Sequence, residues 1–175
     1  SKIMHEREWF KMNVEKLFEM QDALDRHIEE KHELQNTDLI EKKILALLVE
    51  LGELANETRC FKFWSLKGPA AKETILAEYV DGVHFILSLG IACKFRDTVK
   101  DMTDGLDKGQ EPTAMFITLY RDIVLFDQER TKSAYQQVFK DYLALGNLLG
   151  FSGEDIERAY VDKNQINYDR QKQGY

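Results

Sequence analysis

Two consecutive long segments constrain the fold of this chain more than any other feature of its sequence. Residues 39–61 and 73–95 are apolar around most of the circumference of a helix, so each needs neighbours on nearly every side. The chain has two prolines, Pro69 and Pro112, and both lie in short glycine-containing stretches that interrupt the helical pattern. These features predict a pair of central helices enclosed by other helices.

Helical periodicity also marks the rest of the chain. Apolar residues at intervals of three or four predict a first helix over about residues 5–32. Helical patterns resume after a polar loop at about residues 97–112, and a capping box formed by Ser152 and Asp155 predicts the start of a last helix. No alternating strand pattern, internal repeat or linker interrupts them. The prediction is an all-α fold, a helical bundle of about six helices, with residues 1–175 forming a single domain.

Composition limits the partners that the chain can have. A net charge of −7 disfavours general affinity for nucleic acid or for an anionic membrane. The longest apolar stretch, residues 83–93, is shorter than the roughly 18 residues that a membrane span needs. Cys60 and Cys93 lack metal-ligand spacing, and the N-terminus lacks the apolar core of a signal peptide, so we expect an intracellular protein with reduced thiols. An anionic ligand would need a local basic cluster or a metal ion.

Acidic residues interrupt the apolar surface of both central segments. Glu50 and Glu53 lie between apolar residues in the first segment, and no lysine occurs from residue 44 to residue 61. Glu78 and Asp81 lie on a narrow polar line in the second segment. A solvated patch is the simpler interpretation, but unpaired buried carboxylates are costly. In an antiparallel helix pair the four carboxylates can converge, where they would repel one another without a cation.

The acids therefore predict a metal site with Glu50, Glu53, Glu78 and Asp81 as ligands. Carboxylate oxygens suit Mg²⁺, with Mn²⁺ as a possible substitute, because both ions leave positions for water and substrate phosphates. Di-iron bundles also use helical glutamates, but they require E-x-x-H spacing, and no histidine follows Glu50, Glu53 or Glu78 in that way.

The linked motifs also resemble a known family. The pair E-x-x-E at residues 50–53 and E-x-x-D at residues 78–81 is similar to the all-α nucleoside triphosphate pyrophosphatases, the MazG-like superfamily. The stretches LFEMQDALD, FKFWS, DGVHFILSLG and KNQINYDRQKQGY resemble the dimeric deoxyuridine triphosphatases, and the likeness extends over about residues 17–175. This resemblance implies Mg²⁺ held by the four acids and hydrolysis of dUTP or dUDP between the α and β phosphates, which releases dUMP.

The resemblance implies further properties of the chain. It implies a homodimer in the cytoplasm of a bacterium or a phage-infected cell, with a deoxyuridine nucleotide as its small-molecule partner. A dimer would also cover the large apolar surface of the helices. Glu53 is the candidate residue to orient or deprotonate the attacking water.

Candidate base contacts come from three parts of the sequence. Gln21 lies in the apolar stripe of the first helix, where its amide must bond either a neighbouring helix or a uracil edge, and the resemblance favours uracil. Many family members have asparagine where this chain has Asp25, whose ionised carboxylate can only accept. Trp64 would stack on the base or cover an end of the core. His84 and Phe85 would line the same pocket, and His84 is equally consistent with a core histidine.

Candidate phosphate contacts lie mainly on the last helix. Lys163, Asn167 and Arg170 share one face, with Asn164 near its edge. Such a face is often merely solvated, but an acidic protein that binds a triphosphate needs cations, and lysine and arginine suit phosphate oxygens. Lys62, in the stretch FKFWS, is a further candidate.

Two other functions remain open at the level of the sequence. The chain can be a related pyrophosphatase that acts on another nucleotide, such as dCTP or one with a damaged base. It can also be a helical module whose acids bind a regulatory partner protein, in which case it would neither bind Mg²⁺ nor cleave a nucleotide. Substrate profiling with metal present separates these possibilities.

Overall fold

The computed structural model describes residues 11–103 and 109–175, and α-helices account for most of them. The six helices of these residues are α1 (Val14–Lys31), α2 (Ile40–Thr58), α3 (Lys72–Ala92), α4 (Pro112–Glu129), α5 (Lys132–Leu148) and α6 (Gly153–Lys172), with a 3₁₀ turn at Arg96–Thr98. No strand occurs in the described part of the chain. The predicted all-α bundle of about six helices is confirmed.

Local side-chain and backbone signals define the helix ends. The side chain of Asn13 accepts a backbone N–H and caps α1, so this helix begins later than predicted, while residues 5–10 of the predicted helix lie outside the described residues. Arg59 ends α2 in the left-handed conformation, with φ of 58°. The predicted capping box of Ser152 and Asp155 is present at the start of α6.

Helix α3 lies at the centre of the bundle, in contact with α1, α2, α5 and α6. It buries residues on most of its circumference between Tyr79 and Gly90, as predicted for an enclosed helix. By length and composition, α3 is also the one helix of the described residues that could cross a membrane, so its apolar segment is longer than the expected stretch of residues 83–93. Core helices of soluble proteins meet the same criterion, and half of this apolar window is buried in the bundle.

Two tyrosines fix α3 against α5. The hydroxyl of Tyr79 donates to the backbone carbonyl of Tyr142 at 2.7 Å, and the hydroxyl of Tyr142 donates to the carbonyl of Tyr79 at 2.6 Å. Their rings stack with centroids 4.6 Å apart. A Cβ at Gly82 would overlap the hydroxyl of Tyr142, and a Cβ at Gly146 would overlap that of Tyr79. Because these bonds end on backbone atoms, they set the axial position of α3, which carries two of the predicted ligands.

Candidate active site

Helices α2 and α3 bring three of the four predicted metal ligands together. One carboxylate oxygen from each of Glu50, Glu78 and Asp81 lies within 4.8 Å of the others. Oε2 of Glu50 and Oε2 of Glu78 are buried, and neither has a hydrogen-bond partner among the described residues. Buried oxygens without donors, so close to one another, fit a bound cation. A set of three carboxylates suits a hard ion such as Mg²⁺ or Mn²⁺.

The electrostatics of this acidic cluster, Glu50, Glu78 and Asp81, lead to the same inference. Burial, followed by the charge of Asp81 and the neighbouring carboxylate of Glu53, raises the pKa of Glu50 to about 8. Burial also raises the pKa of Glu78, and the charge of Asp81 adds to that effect. A divalent cation would reverse these shifts because it favours the ionised form of every carboxylate around it.

Glu53 lies almost one turn beyond Glu50 on α2, and its side chain is exposed. It is not part of the group of oxygens that lie within 4.8 Å of one another. The structure therefore brings Glu53 next to the acidic cluster but not into it. Its roles as a ligand and as the residue that activates water remain predictions.

Lys163 of α6 places a cation against the acidic cluster. Its Nζ lies 3.1 Å from Oδ1 of Asp81, and the two side chains are only 14% and 22% exposed. The ammonium group lowers the pKa of Asp81, but burial has the larger effect and the pKa remains raised. Lys163, a predicted phosphate contact, thus contacts a predicted metal ligand in this structure.

A cleft of about 200 Å³ opens beside the acidic cluster. One part of its lining comes from α1, α2 and α3, and the other from α6 and the residues after it. Its lining residues are Ile28, Glu50, Asp81, His84, Phe85, Asn167, Arg170, Gln171 and Tyr175. The guanidinium carbon of Arg170 lies 5.0 Å from the ring centroid of Tyr175. Members of the predicted metal, base and phosphate sites therefore meet in one cleft.

Gln21 and Asp25 belong to a buried hydrogen-bond network. Nε2 of Gln21 donates to Oδ1 of Asp25 at 2.8 Å and lies 3.5 Å from Nε2 of His84. Oε1 of Gln21 accepts from the hydroxyl of Tyr160 at 2.7 Å, and Oδ2 of Asp25 accepts from the hydroxyl of Ser88 at 2.8 Å. The amide of Gln21 is thus paired with Asp25 on its own helix and with Tyr160 on α6. A bond to a neighbouring helix is one of the two alternatives that its sequence position allowed. A role for Gln21 and Asp25 at the base remains a prediction.

His84 lines the cleft, and its pKa departs from the usual value. Burial lowers its pKa to about 4, so the imidazole is neutral at neutral pH. Its Nδ1 is buried and has no hydrogen-bond partner among the described residues. His84 is therefore not a fully satisfied core histidine.

The aromatic loop between α2 and α3 does not line this cleft. Phe63 is 93% exposed and Trp64 is 64% exposed, and Trp64 makes edge contacts with Phe61 and Phe63. Nζ of Lys62 lies 5.8 Å from the ring centroid of Phe61. Within a single chain, Trp64 and Lys62 are thus not among the residues that line the cleft, and their contacts with substrate remain predictions.

The sequence did not reveal how α6 contributes to the network. By its spacing Tyr160 is part of the apolar side of this helix, yet its hydroxyl is a buried donor to Gln21. Asn164, predicted as a phosphate contact, is only 6% exposed and has its amide nitrogen 3.5 Å from the hydroxyl of Tyr160. One sequence feature could have indicated this contribution: the spacing of Tyr160 and Asn164 places two polar groups one turn apart on the same face of a helix.

Comparison with known proteins agrees with these observations. A family model described as dUTPase matches residues 13–175, a range that includes α1 to α6. No curated protein sequence matches the chain significantly. The match extends across both predicted acidic motifs and across the helix that carries the cationic side of the cleft. The chain therefore belongs to the all-α dUTPase family of dUTP diphosphatases.

Proposed function

We propose that the chain hydrolyses dUTP and dUDP to dUMP in a reaction that requires Mg²⁺, with water attacking between the α and β phosphates. The observation that carries this proposal is the cleft in which acidic Glu50 and Asp81 accompany cationic Arg170. Glu50, Glu78 and Asp81 would hold the ion, and Mn²⁺ would be able to replace it. When bound, the ion would supply positive charge that neutralises phosphate oxygens and lowers the pKa of water.

Residues of the chain would activate the attacking water and bind the phosphates. Glu53 is exposed and next to the cluster, so its carboxylate is accessible to orient or deprotonate the attacking water. Arg170 and Asn167 line the cleft and would donate to the phosphate oxygens. Lys163 would exchange Asp81 for a phosphate oxygen when the nucleotide enters.

The base would bind next to His84 and Phe85, which line the same cleft. Gln21 and Asp25 would support this pocket from the buried network. Trp64 would stack on the base after a movement of its loop toward a cleft, either in its own chain or in that of a partner. Such stacking would explain why an apolar ring of this size is 64% exposed in the single chain.

A homodimer in the cytoplasm is also part of this proposal. Helices α2 and α4 contact each other, and both carry exposed apolar side chains. Leu45 and Val49 of α2 are 63% and 51% exposed, and Ile117 and Val124 of α4 are 48% and 45% exposed. A second copy would bury this face. Sedimentation should show a dimer at micromolar concentration and a monomer for the Val49→Asp, Val124→Asp double variant.

Product analysis tests the proposed reaction. The protein is incubated with Mg²⁺ and, separately, with dUTP, dUDP, dCTP, dTTP and UTP. We expect dUMP with pyrophosphate from dUTP, dUMP with phosphate from dUDP, and no product when the metal is chelated. Hydrolysis in isotope-labelled water identifies the phosphorus atom that is attacked. Release of dUDP from dUTP, or faster cleavage of dCTP than of dUTP, would contradict the proposal.

A further inference from the structure

We propose that Tyr160 is a positioning residue for base selection, because its bond to Gln21 holds His84 in the tautomer that carries its proton on Nδ1. In that tautomer His84 can donate to the carbonyl oxygen at position 4 of uracil. The inference rests on the proposed function and deepens it, since it assigns a source for the discrimination between uracil and cytosine.

The direction of the hydrogen bonds follows from the donor and acceptor groups. The amide nitrogen of Asn164 can only donate, so at 3.5 Å it makes the oxygen of Tyr160 an acceptor. The hydroxyl hydrogen of Tyr160 is then directed to Oε1 of Gln21 at 2.7 Å. The oxygen of the Gln21 amide is thereby held toward α6, and its nitrogen is directed toward Asp25 and His84.

Asp25 holds the other end of the Gln21 amide. Its Oδ1 accepts from Nε2 of Gln21 at 2.8 Å, and its Oδ2 accepts from Ser88. Gln21, Asp25, Ser88 and Tyr160 are all buried, so a rotated amide would leave an unpaired donor or acceptor away from water. Burial raises the pKa of Asp25. While its carboxylate is ionised and can only accept, the network allows one orientation of Gln21.

That orientation determines the tautomer of His84. A neutral imidazole has one protonated and one unprotonated nitrogen. The amide nitrogen of Gln21 faces Nε2 of His84 at 3.5 Å and can only donate, so Nε2 is the acceptor and the proton lies on Nδ1. This Nδ1–H is buried without a partner among the described residues, and an unpaired donor gains free energy when an acceptor reaches it.

A donor at Nδ1 of His84 can distinguish pyrimidines by the group that they carry at position 4. Uracil and thymine carry a carbonyl oxygen at position 4, which accepts, whereas cytosine carries an amino group there, which donates. The Nδ1–H of His84 can donate to the carbonyl oxygen of uracil or thymine. With cytosine, the Nδ1–H and the amino group are both donors and cannot pair. Because thymine shares the carbonyl, its methyl group must be excluded by the shape of the pocket. Loosening the network should thus affect discrimination against dCTP but not against dTTP.

The test uses Tyr160→Phe with Tyr135→Phe as its matched control. Tyr135 is also buried, and its hydroxyl donates to the carbonyl of Ile86 at 2.8 Å, outside the network. The ratio of kcat/KM for dUTP to that for dCTP should fall about tenfold in Tyr160→Phe, as expected for the loss of one buried hydrogen bond. The ratio for dUTP to dTTP should stay constant, and Tyr135→Phe should change neither ratio. An unchanged dCTP ratio in Tyr160→Phe, or an equal change in Tyr135→Phe, would overturn the inference.

A second readout does not depend on activity. Long-range nitrogen-15 NMR spectra of the free protein distinguish the two imidazole tautomers, and the His84 signals are identified by their loss in His84→Gln. Wild-type protein should carry the proton on Nδ1, and Tyr160→Phe should gain a population with the proton on Nε2. A wild-type enzyme that is active but protonated on Nε2 would overturn this inference alone. Failure to cleave any deoxyuridine nucleotide would instead overturn the proposed function, and base selection with it.

Discussion

Nζ of Lys163 and Oδ1 of Asp81 lie 3.1 Å apart, so the last helix of the chain places an ammonium group against a predicted metal ligand. Both side chains are largely shielded from water, which strengthens their attraction relative to an exposed pair. The same lysine is a candidate phosphate contact. Metal binding and nucleotide binding would then be coupled because both require Lys163 to leave Asp81.

Lys163→Met should separate the effect of Lys163 on metal binding from its effect on nucleotide binding. The variant keeps the apolar stem of the side chain but removes the charge that competes with a cation. We expect Mn²⁺ to bind the nucleotide-free variant about tenfold more tightly, a change typical of one nearby charge. Affinity for dUTP should fall. Isothermal titration calorimetry measures both, with Lys172→Met, an exposed position on the same helix, as the control. Weaker Mn²⁺ binding would contradict the competition.

Glu53→Gln should lower kcat for dUTP by at least about a hundredfold, as is typical when a group that activates water is lost. The fold should remain intact because the Glu53 side chain is exposed, so the substitution removes no packing contact. Steady-state assays with Mg²⁺ and circular dichroism provide the two measurements. Glu41→Gln, an exposed position in the first turn of α2, is the control. Near-normal turnover would remove Glu53 from the reaction.

The lowered pKa of His84 predicts a specific pH dependence of stability. Its pKa falls from 6.5 to about 4 in the folded protein. The unfolded chain therefore binds a proton near pH 6.5 while the folded protein does not. The contribution of His84 to the free energy of unfolding is fully present above pH 6.5 and is lost as the pH falls to about 4.

His84→Gln should remove that dependence. Between pH 7 and pH 4, the free energy of unfolding of the wild type should fall by roughly 2 to 3 kcal/mol more than that of the variant. Urea titrations at several pH values measure the difference. His27→Gln, at an exposed position of α1, is the matched control and should behave like the wild type. Parallel curves for wild type and His84→Gln would refute the assignment of this shift.

Gly82→Ala should destabilise the protein by about 1 to 3 kcal/mol, the usual cost of overpacking. The new Cβ would overlap the hydroxyl of Tyr142, which outweighs the higher helix propensity of alanine. Gly68→Ala should be nearly neutral because a Cβ at that position meets no atom within 4 Å. Thermal unfolding measures both. Because the new Cβ would also lie 2.6 Å from Cζ of Tyr142, Tyr142→Phe should not relieve the overlap. A Gly82→Ala variant as stable as the wild type would contradict the prediction.

The sequence predicted the helices well because apolar periodicity and capping chemistry are local. Ser152 and Asp155 mark the start of α6, whereas the pattern predicts too early a start for α1 because the apolar spacing continues before the cap at Asn13. The acidic cluster was predictable because carboxylates are rare in apolar helices without a role. The bond between Gln21 and Tyr160 was not, because it joins residues 139 positions apart, and no local pattern specifies which helices meet.

Tyrosine hydroxyls bond helix carbonyls next to glycines at several places in the described chain. The pairs of tyrosine and glycine are Tyr142 with Gly82, Tyr135 with Gly90, Tyr79 with Gly146, and Tyr120 with Gly52. Two of these contacts hold α3 by its backbone, through bonds that do not involve the side chains of His84 and Phe85. The proposed base pocket can therefore be redesigned at these two positions, and a combinatorial library there should yield folded enzymes with altered nucleotide preference.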